Sequence, residues 1–280
     1  MSLTVSVIGA GGKMGTRVTN NLTKHKEYNL LFCEKSDNGI QSIQERGFEV
    51  TDTAEAVKQS DVVILAVPDV LLGRISRDVV PMMKNGAVLL TLDPAAAYAN
   101  ELELKNEITY VVAHPCHPSV FVEKFTREEH EDAFGGIAAK QDIVAALFHG
   151  EEEKYSIGEQ VAIDMYAPVE TCHRITVEQM AILEPTAAEV VACTTAVILK
   201  ETLDEVVKMG IPEPAARSFL LGHIQIGLAV AFRGTNPFSD ACQIAIDYGK
   251  EKIFRSDWKD VFEKEELDNV LKKMLQTQQA

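Results

Sequence analysis

The stretch "TVSVIGAGGKMG", residues 4–15, decides the fold. A β-branched run from Thr4 to Ile8 stops at a group of glycines, and "MGTRVTNNLTKH" then continues with helical character. Strand, glycine turn and helix in that order are what a dinucleotide-binding turn requires. Glycines let the backbone approach a pyrophosphate, whose charge rests on the unsatisfied N–H groups of the helix N-terminus. Gly9 and Gly11 fit a G-x-G-x-x-G spacing, but Met14 stands at its third site; Gly9, Gly12 and Gly15 fit G-x-x-G-x-x-G instead. Either spacing makes Gly9, Gly11, Gly12, Lys13 and Met14 candidates for cofactor contact.

Outward from this turn, "NLLFCE" reads as a second strand ending at Glu34. A carboxylate there accepts hydrogen bonds from ribose hydroxyls and repels a 2′-phosphate, which favours NAD over NADP. Adjacent Lys35 could accommodate that phosphate, and a merely solvated strand end is the alternative reading of Glu34. "FEV" reads as a weak third strand and "TDTAEAVKQS" as a short helix. "DVVILAVPD", Asp61 to Asp69, is the clearest buried strand. Its end places Val67 at the ligand crevice of an α/β sheet, near the nicotinamide half, although a plain Pro-terminated strand predicts the same local geometry. "AVLLTLD", "ITYVVAHP", "DIVAALFHG" and "PVETCHRI" supply further strands. Near-continuous apolar strands separated by helices imply an α/β class, a doubly wound parallel Rossmann sheet covered on both faces, over residues 1–174.

From residue 175 to 280 the pattern is helical only. "VEQMAILEPTAAEVVACTTAVILKETLDEVVKMG" reads as one long helix stopped by Gly210 and Pro212, with three more helices behind it. "FLLGHIQIGLAVAF" contains His223 and Gln225 and reads as a buried helix, too short and too polar to span a bilayer. Helices apolar all round need a partner surface, so a homodimer through this half is expected. The net charge of −15 repels a phosphate backbone, which argues against nucleic acid as a partner. Five dispersed cysteines without C-x-x-C indicate a reducing compartment. With no basic segment ahead of the first strand to suggest a secretory signal, a cytoplasmic location is expected.

The motif with most chemistry is "VVAHPCHPSVF", residues 111–121. A residue before proline is driven to extended backbone, so His114 and His117 are both expected extended. In polyproline II they would lie roughly 9 Å apart, at ~3.1 Å per residue. That spacing disfavours a two-histidine chelate, since Zn–N bonds are about 2.0–2.1 Å. One histidine then serves as ligand and the other as substrate contact or proton carrier, His117 in the second role. A stiff turn without chemistry is the other reading. Cys116 reads as a small buried thiol. Glu184, embedded in apolar sequence and followed by the helix-kinking Pro185, is costly unless paired or cation-bound. It is therefore the candidate partner of His114 on one divalent metal, zinc or magnesium. A carboxylate capping a broken helix is the alternative, and Glu178 and Glu189 are competitors. His173 and His223 read as core or interface residues, and His25, His130 and His149 as surface residues.

Taken together, the chain resembles the 6-phosphogluconate/3-hydroxyacid dehydrogenase superfamily over essentially its whole length. Within it, "VIGAGGKMG", "AVPD" and above all "AHPCHPSVF" resemble the D-apionate oxidoisomerase family, relatives of ketol-acid reductoisomerase. "VEQMAIL" is similar to the start of the reductoisomerase metal helix, which puts Glu178 at a family metal carboxylate. Arg174 stands where that family has an aspartate, which favours a single metal held by His114 and Glu184. The resemblance implies NAD-dependent oxidation of the branched sugar acid D-apionate with skeletal rearrangement to 3-oxo-isoapionate. It also implies a metal acting as Lewis acid on the migrating system. A simple hydroxyacid dehydrogenase and a non-catalytic dinucleotide sensor are the competing readings.

Overall fold

The computed structural model describes residues 2–234 and 236–276. Strand β1 (Leu3–Ile8) leads through the glycine turn into α1 (Lys13–Leu22), then β2 (Tyr28–Cys33). Two short helices follow, α2 (Asp37–Glu45) and α3 (Thr53–Gln59), each started by a side-chain cap. Ser36 accepts from the Gly39 amide, and Asp52 accepts from those of Ala54 and Glu55, satisfying first-turn donors that would otherwise lack partners. The chain continues with β3 (Val62–Leu65), α4 (Asp69–Val79), β4 (Val88–Thr91), α5 (Ala95–Tyr98) and β5 (Thr109–Pro115). After α6 (Arg127–Glu131) come β6 (Gln141–His149), α7 (Glu152–Met165), β7 (Val169–Arg174) and α8 (Val177–Ala181).

The seven strands form one sheet in the order β2-β1-β3-β4-β5-β6-β7. The first five are parallel; β6 runs antiparallel to β5, and β7 parallel to β6. The sheet is thus mostly, not wholly, parallel. "FEV" forms only an isolated bridge, Val50 to Phe32, because its residues lack a run long enough to ladder. All four residues of β3 and of β4 are buried, so successive side chains enter two different cores. Val63, Leu65 and Leu89 pack in one, while Val62, Ile64, Val88 and Leu90 pack in the other. That two-sided burial is what fixes the register, because a slip of one residue would exchange the faces.

Two compact units are present. The first comprises residues 1–183 and 268–280; α8 belongs to it, with Val177 and Met180 in its core. The expected boundary at 174/175 falls before α8, whereas the units divide after Leu183. The second unit, residues 184–267, is helical. Beyond Ala181 the long helix becomes π-helical over Ile182–Cys193, around Pro185, before resuming as α9 (Thr194–Lys208). Proline cannot supply its N–H, and wider π turns are one way a helix absorbs such a defect. Next come α10 (Glu213–Arg233) and α11 (Asp240–Ile253), followed by α12 (Lys264–Met274), which ends in the first unit.

The expectation that α10 is buried fails in the single chain. Only Ala216 of α10 is buried, and Phe219, Leu221, Ile226 and Phe232 are exposed. Nor is the segment too short and polar: Val177–Lys208 and Glu213–Arg233 are each long and apolar enough to cross a membrane, by length and composition alone. The composition of α10 was legible, but its exposure in the single chain was not.

Candidate active site

The glycine turn separates into four individual roles. Gly9 has φ +82°, the left-handed region that favours glycine, and a methyl group there would collide with the Ala66 carbonyl of the neighbouring strand end. A methyl on Gly15 would collide with the Gly9 carbonyl, so this glycine lets α1 close onto the turn. Gly11 lies against the backbone of Gly39 in α2. Gly12 alone is open, its nearest obstacle being the Gly9 oxygen at 3.3 Å. Gly12 also begins α1 with no side-chain cap, leaving the first-turn donors of the helix to a ligand. The G-x-x-G-x-x-G spacing is therefore the one the backbone uses, with Gly11 kept for packing.

Beside this turn lies a cavity of about 750 Å³, lined by Gly9, Gly12, Glu34, Asp52, Val67 and Arg74 among others. It opens at the carboxyl ends of β1, β2 and β3, where the strand order reverses and α/β sheets bind nucleotides. The open Gly12 and uncapped helix fit the pyrophosphate of a dinucleotide, and the apolar side of the cavity, with Leu71 and Ile75, fits an adenine. Glu34 accepts from the amides of Gly11 (3.2 Å), Lys35 (2.8 Å) and Ser36 (3.1 Å). Gly39 makes this possible, since a methyl there would lie 2.6 Å from the Glu34 side chain. Lys13 and Met14 do not line this cavity. The Lys13 ammonium sits 4.4 Å from the Phe134 ring centroid, and Met14 faces a small pocket shared with Pro115, His117 and Tyr166. Both residues thus lie toward the histidine tract.

His114 is carried by β5, where it pairs with Val144 of β6. Its Nδ1–H donates to the Leu92 carbonyl at 2.8 Å, so the assigned tautomer carries its lone pair on Nε2. Asp93, the next residue after Leu92, brings a carboxylate oxygen within 4.8 Å of a His114 ring nitrogen. Sequence reasoning missed Asp93, because "LDPA" reads as an ordinary strand-ending turn; its only signal was the end of β4 beside β5.

His117 departs from expectation. It has φ +61°, left-handed rather than extended. Its Nδ1–H donates to the Phe134 carbonyl at 2.8 Å, and its ring stands edge-on to Phe134 at 5.7 Å between centroids. Those contacts override the local preference imposed by Pro118. The His114 and His117 rings are consequently 6.2 Å apart, closer than the polyproline spacing, and perpendicular. Cys116 is exposed, not buried, because the chain leaves the sheet there after its amide donates to Asp142.

Arg174 is tied to α7, with two guanidinium bonds to Glu152 and its charge 4.1 Å from the Tyr155 ring centroid. Glu178 is exposed in the first turn of α8. Glu184 opens the second unit, within the π-helical stretch, and is half-buried. His173 is not a core residue: it is exposed and pairs with Asp142 at 2.9 Å. His223 is likewise exposed and stacks on Phe219 within the same helix.

A Rossmann sheet with an open dinucleotide cavity, and a histidine–aspartate pair at neighbouring strand ends, defines an NAD-dependent oxidoreductase. Residues 1–163 match the acetohydroxy acid isomeroreductase NADPH-binding domain, and residues 122–275 match the C-terminal domain of decarboxylating phosphogluconate dehydrogenase. The chain is 53% identical to a D-apionate oxidoisomerase of Pectobacterium atrosepticum, over 97% of this chain and 95% of that protein. It is 49% identical to one from Blautia hydrogenotrophica, over 98% and 96% respectively. Among solved structures it is similar to a semialdehyde dehydrogenase NAD-binding protein from Cupriavidus necator in complex with calcium and NAD. That similarity has a TM-score of 0.95 and 43% identity, covering 98% of this chain and all of the other. The chain belongs to the D-apionate oxidoisomerase family.

Proposed function

We propose that the protein oxidises D-apionate with NAD and rearranges the product to 3-oxo-isoapionate. The observation that carries this reading is His114, fixed by the Leu92 carbonyl and set beside Asp93 in the row of strand ends that holds the cofactor cavity. A dinucleotide sensor has no use for that pair, and the relatives named for this activity match nearly the whole chain. Chemically, the C2 carbinol loses hydride to NAD and a proton to the site, giving a 2-oxo acid. The hydroxymethyl group on C3 then migrates to C2, leaving the ketone at C3.

The residues divide this work. Gly12 and the start of α1 hold the pyrophosphate, and Glu34 takes the ribose hydroxyls and disfavours a 2′-phosphate. Val67 carries backbone toward the nicotinamide half. His114 and Asp93 would hold one divalent ion, with Glu184 the third donor that the sequence proposes, and these imidazole and carboxylate donors fit zinc or magnesium chemistry. When bound, such an ion supplies Lewis-acid polarisation of the substrate oxygens. His117, held by Phe134, contacts a substrate hydroxyl and takes its proton.

The second unit assembles with a second copy. Phe219, Leu221, Ile226 and Phe232 of α10 are exposed in the single chain, an apolar surface that a second copy would cover. Lys200, Asp204, Glu205 and Lys208 on α9 suit a protein partner in the cytoplasm better than lipid. The deciding experiment supplies D-apionate and NAD, follows NADH formation, and identifies the product by carbon NMR. An unrearranged 2-oxo acid as the final product would leave only a simple dehydrogenase.

A further inference from the structure

Away from the cofactor, the segment between α1 and β2 brings a second set of ligand atoms together. His25 Nδ1 lies 3.3 Å from Glu27 Oε1 and 3.8 Å from Asp164 Oδ2, and all three ligand atoms fall within 4.8 Å of one another. We propose that His25, Glu27 and Asp164 form a zinc-class cation site distinct from the one at His114. Zinc bonds of about 2.0–2.1 Å in a tetrahedron put neighbouring ligand atoms about 3.3 Å apart; His25 keeps that spacing to Glu27 and stands farther from Asp164, at 3.8 Å. One imidazole with two carboxylates suits a borderline metal better than calcium, which prefers oxygen alone.

The surroundings support an ion rather than a simple pair. Asp164, at 8% exposure, is the buried member, and apart from His25 it accepts from neutral donors: the Tyr28 hydroxyl on Oδ2 and the Gln160 amide on Oδ1 at 3.0 Å. These two donors fix the carboxylate plane, as hydrogen bonds behind a metal ligand commonly do. The nearby Lys24 ammonium donates to Asn21 Oδ1 instead of to either carboxylate. Two carboxylates facing one imidazole thus carry net negative charge, which a divalent ion would neutralise. The three ligands come from the segment after α1 and from the end of α7, so the ion would fasten α7 to the edge of the sheet at β2.

Cobalt(II) substitution tests this in the full-length protein with NAD bound. In His114→Ala, which removes a ligand of the proposed catalytic metal, one equivalent of cobalt should still give the visible absorption of a tetrahedral site. Adding His25→Ala should abolish that absorption, as should Glu27→Gln, a change at an exposed position that leaves the fold intact. Zinc should raise the Tm of His114→Ala and not that of the double variants. The proposal is overturned if His114→Ala shows no tetrahedral cobalt spectrum, or if the spectrum survives both second substitutions. Neither outcome depends on the turnover of any substrate.

Discussion

Replacing Gly12 by alanine separates the proposed pyrophosphate site from the fold. Gly12 has φ −72° and ψ 173°, which any L-residue adopts, and its new methyl would meet only the Gly9 oxygen, at 3.3 Å. Folding should be nearly unaffected, since removing glycine from a compatible conformation stabilises by about 0.4–1 kcal/mol and offsets the slightly tight contact. In the proposed site the methyl would enter the space left for the pyrophosphate and displace it from the amides of α1. Hydrogen bonds to charged groups contribute about 1.5–3 kcal/mol each. Losing one of them weakens NAD by roughly tenfold to a hundredfold or somewhat more. Gly15→Ala supplies the contrast, because its methyl would collide with the Gly9 carbonyl and approach Ala10 Cα at 2.8 Å. Overpacking of this kind costs about 1–3 kcal/mol, a Tm loss of roughly 2–12 °C. Calorimetric titration with NAD and a thermal melt on each variant provide the comparison. If Gly12→Ala folds and binds NAD as tightly as the parent, the assignment of Gly12 to the cofactor is wrong.

Four further outcomes are expected. Glu34→Ser should narrow the NAD preference, with Lys35 and Ser36 receiving the 2′-phosphate, as read from kcat/KM with both cofactors. His114→Ala, Asp93→Asn and Glu184→Gln should each abolish turnover while leaving NAD affinity near native; a fully active Asp93→Asn would remove that residue from the ligand set. Chelation should stop both oxidation and migration, and metal add-back should restore them; full activity of metal-free enzyme would leave the histidine tract a scaffold. A charge at Ile226, half exposed in the single chain at 51%, should convert a dimer to monomers on a sizing column. A parent protein already monomeric at micromolar concentration would refute that assembly.

The glycine turn, Glu34 and the buried strands were legible because each is a local pattern. Strand period and turn chemistry act within a few residues. The reversal at β6 was not legible: "DIVAALFHG" is apolar enough for either direction, and pairing with β5 is a long-range choice. Helix α2 escaped notice because "SDNGIQSIQE" is polar and contains Gly39, whose purpose appears only once Glu34 and Gly11 lie against it. The handedness of His117 was misread because the proline rule is local, whereas the Phe134 carbonyl that captures its ring lies 17 residues away. Asp93 was invisible for the same reason, being defined by its neighbour across β4 and β5.

Glu34, Gly39 and Gly11 close a small ring: the carboxylate accepts from the Gly11 amide, rests against Gly39, and Gly39 abuts Gly11. The proposed ribose and pyrophosphate halves of the cofactor site would therefore share one mechanical element. Substitutions that retune cofactor choice at Glu34 should be epistatic with those in the glycine turn, their effects departing from additivity by about 0.5–3 kcal/mol. Directed evolution toward NADP would then have to move both halves in concert, and single-site libraries around Glu34 would understate what the scaffold can accept.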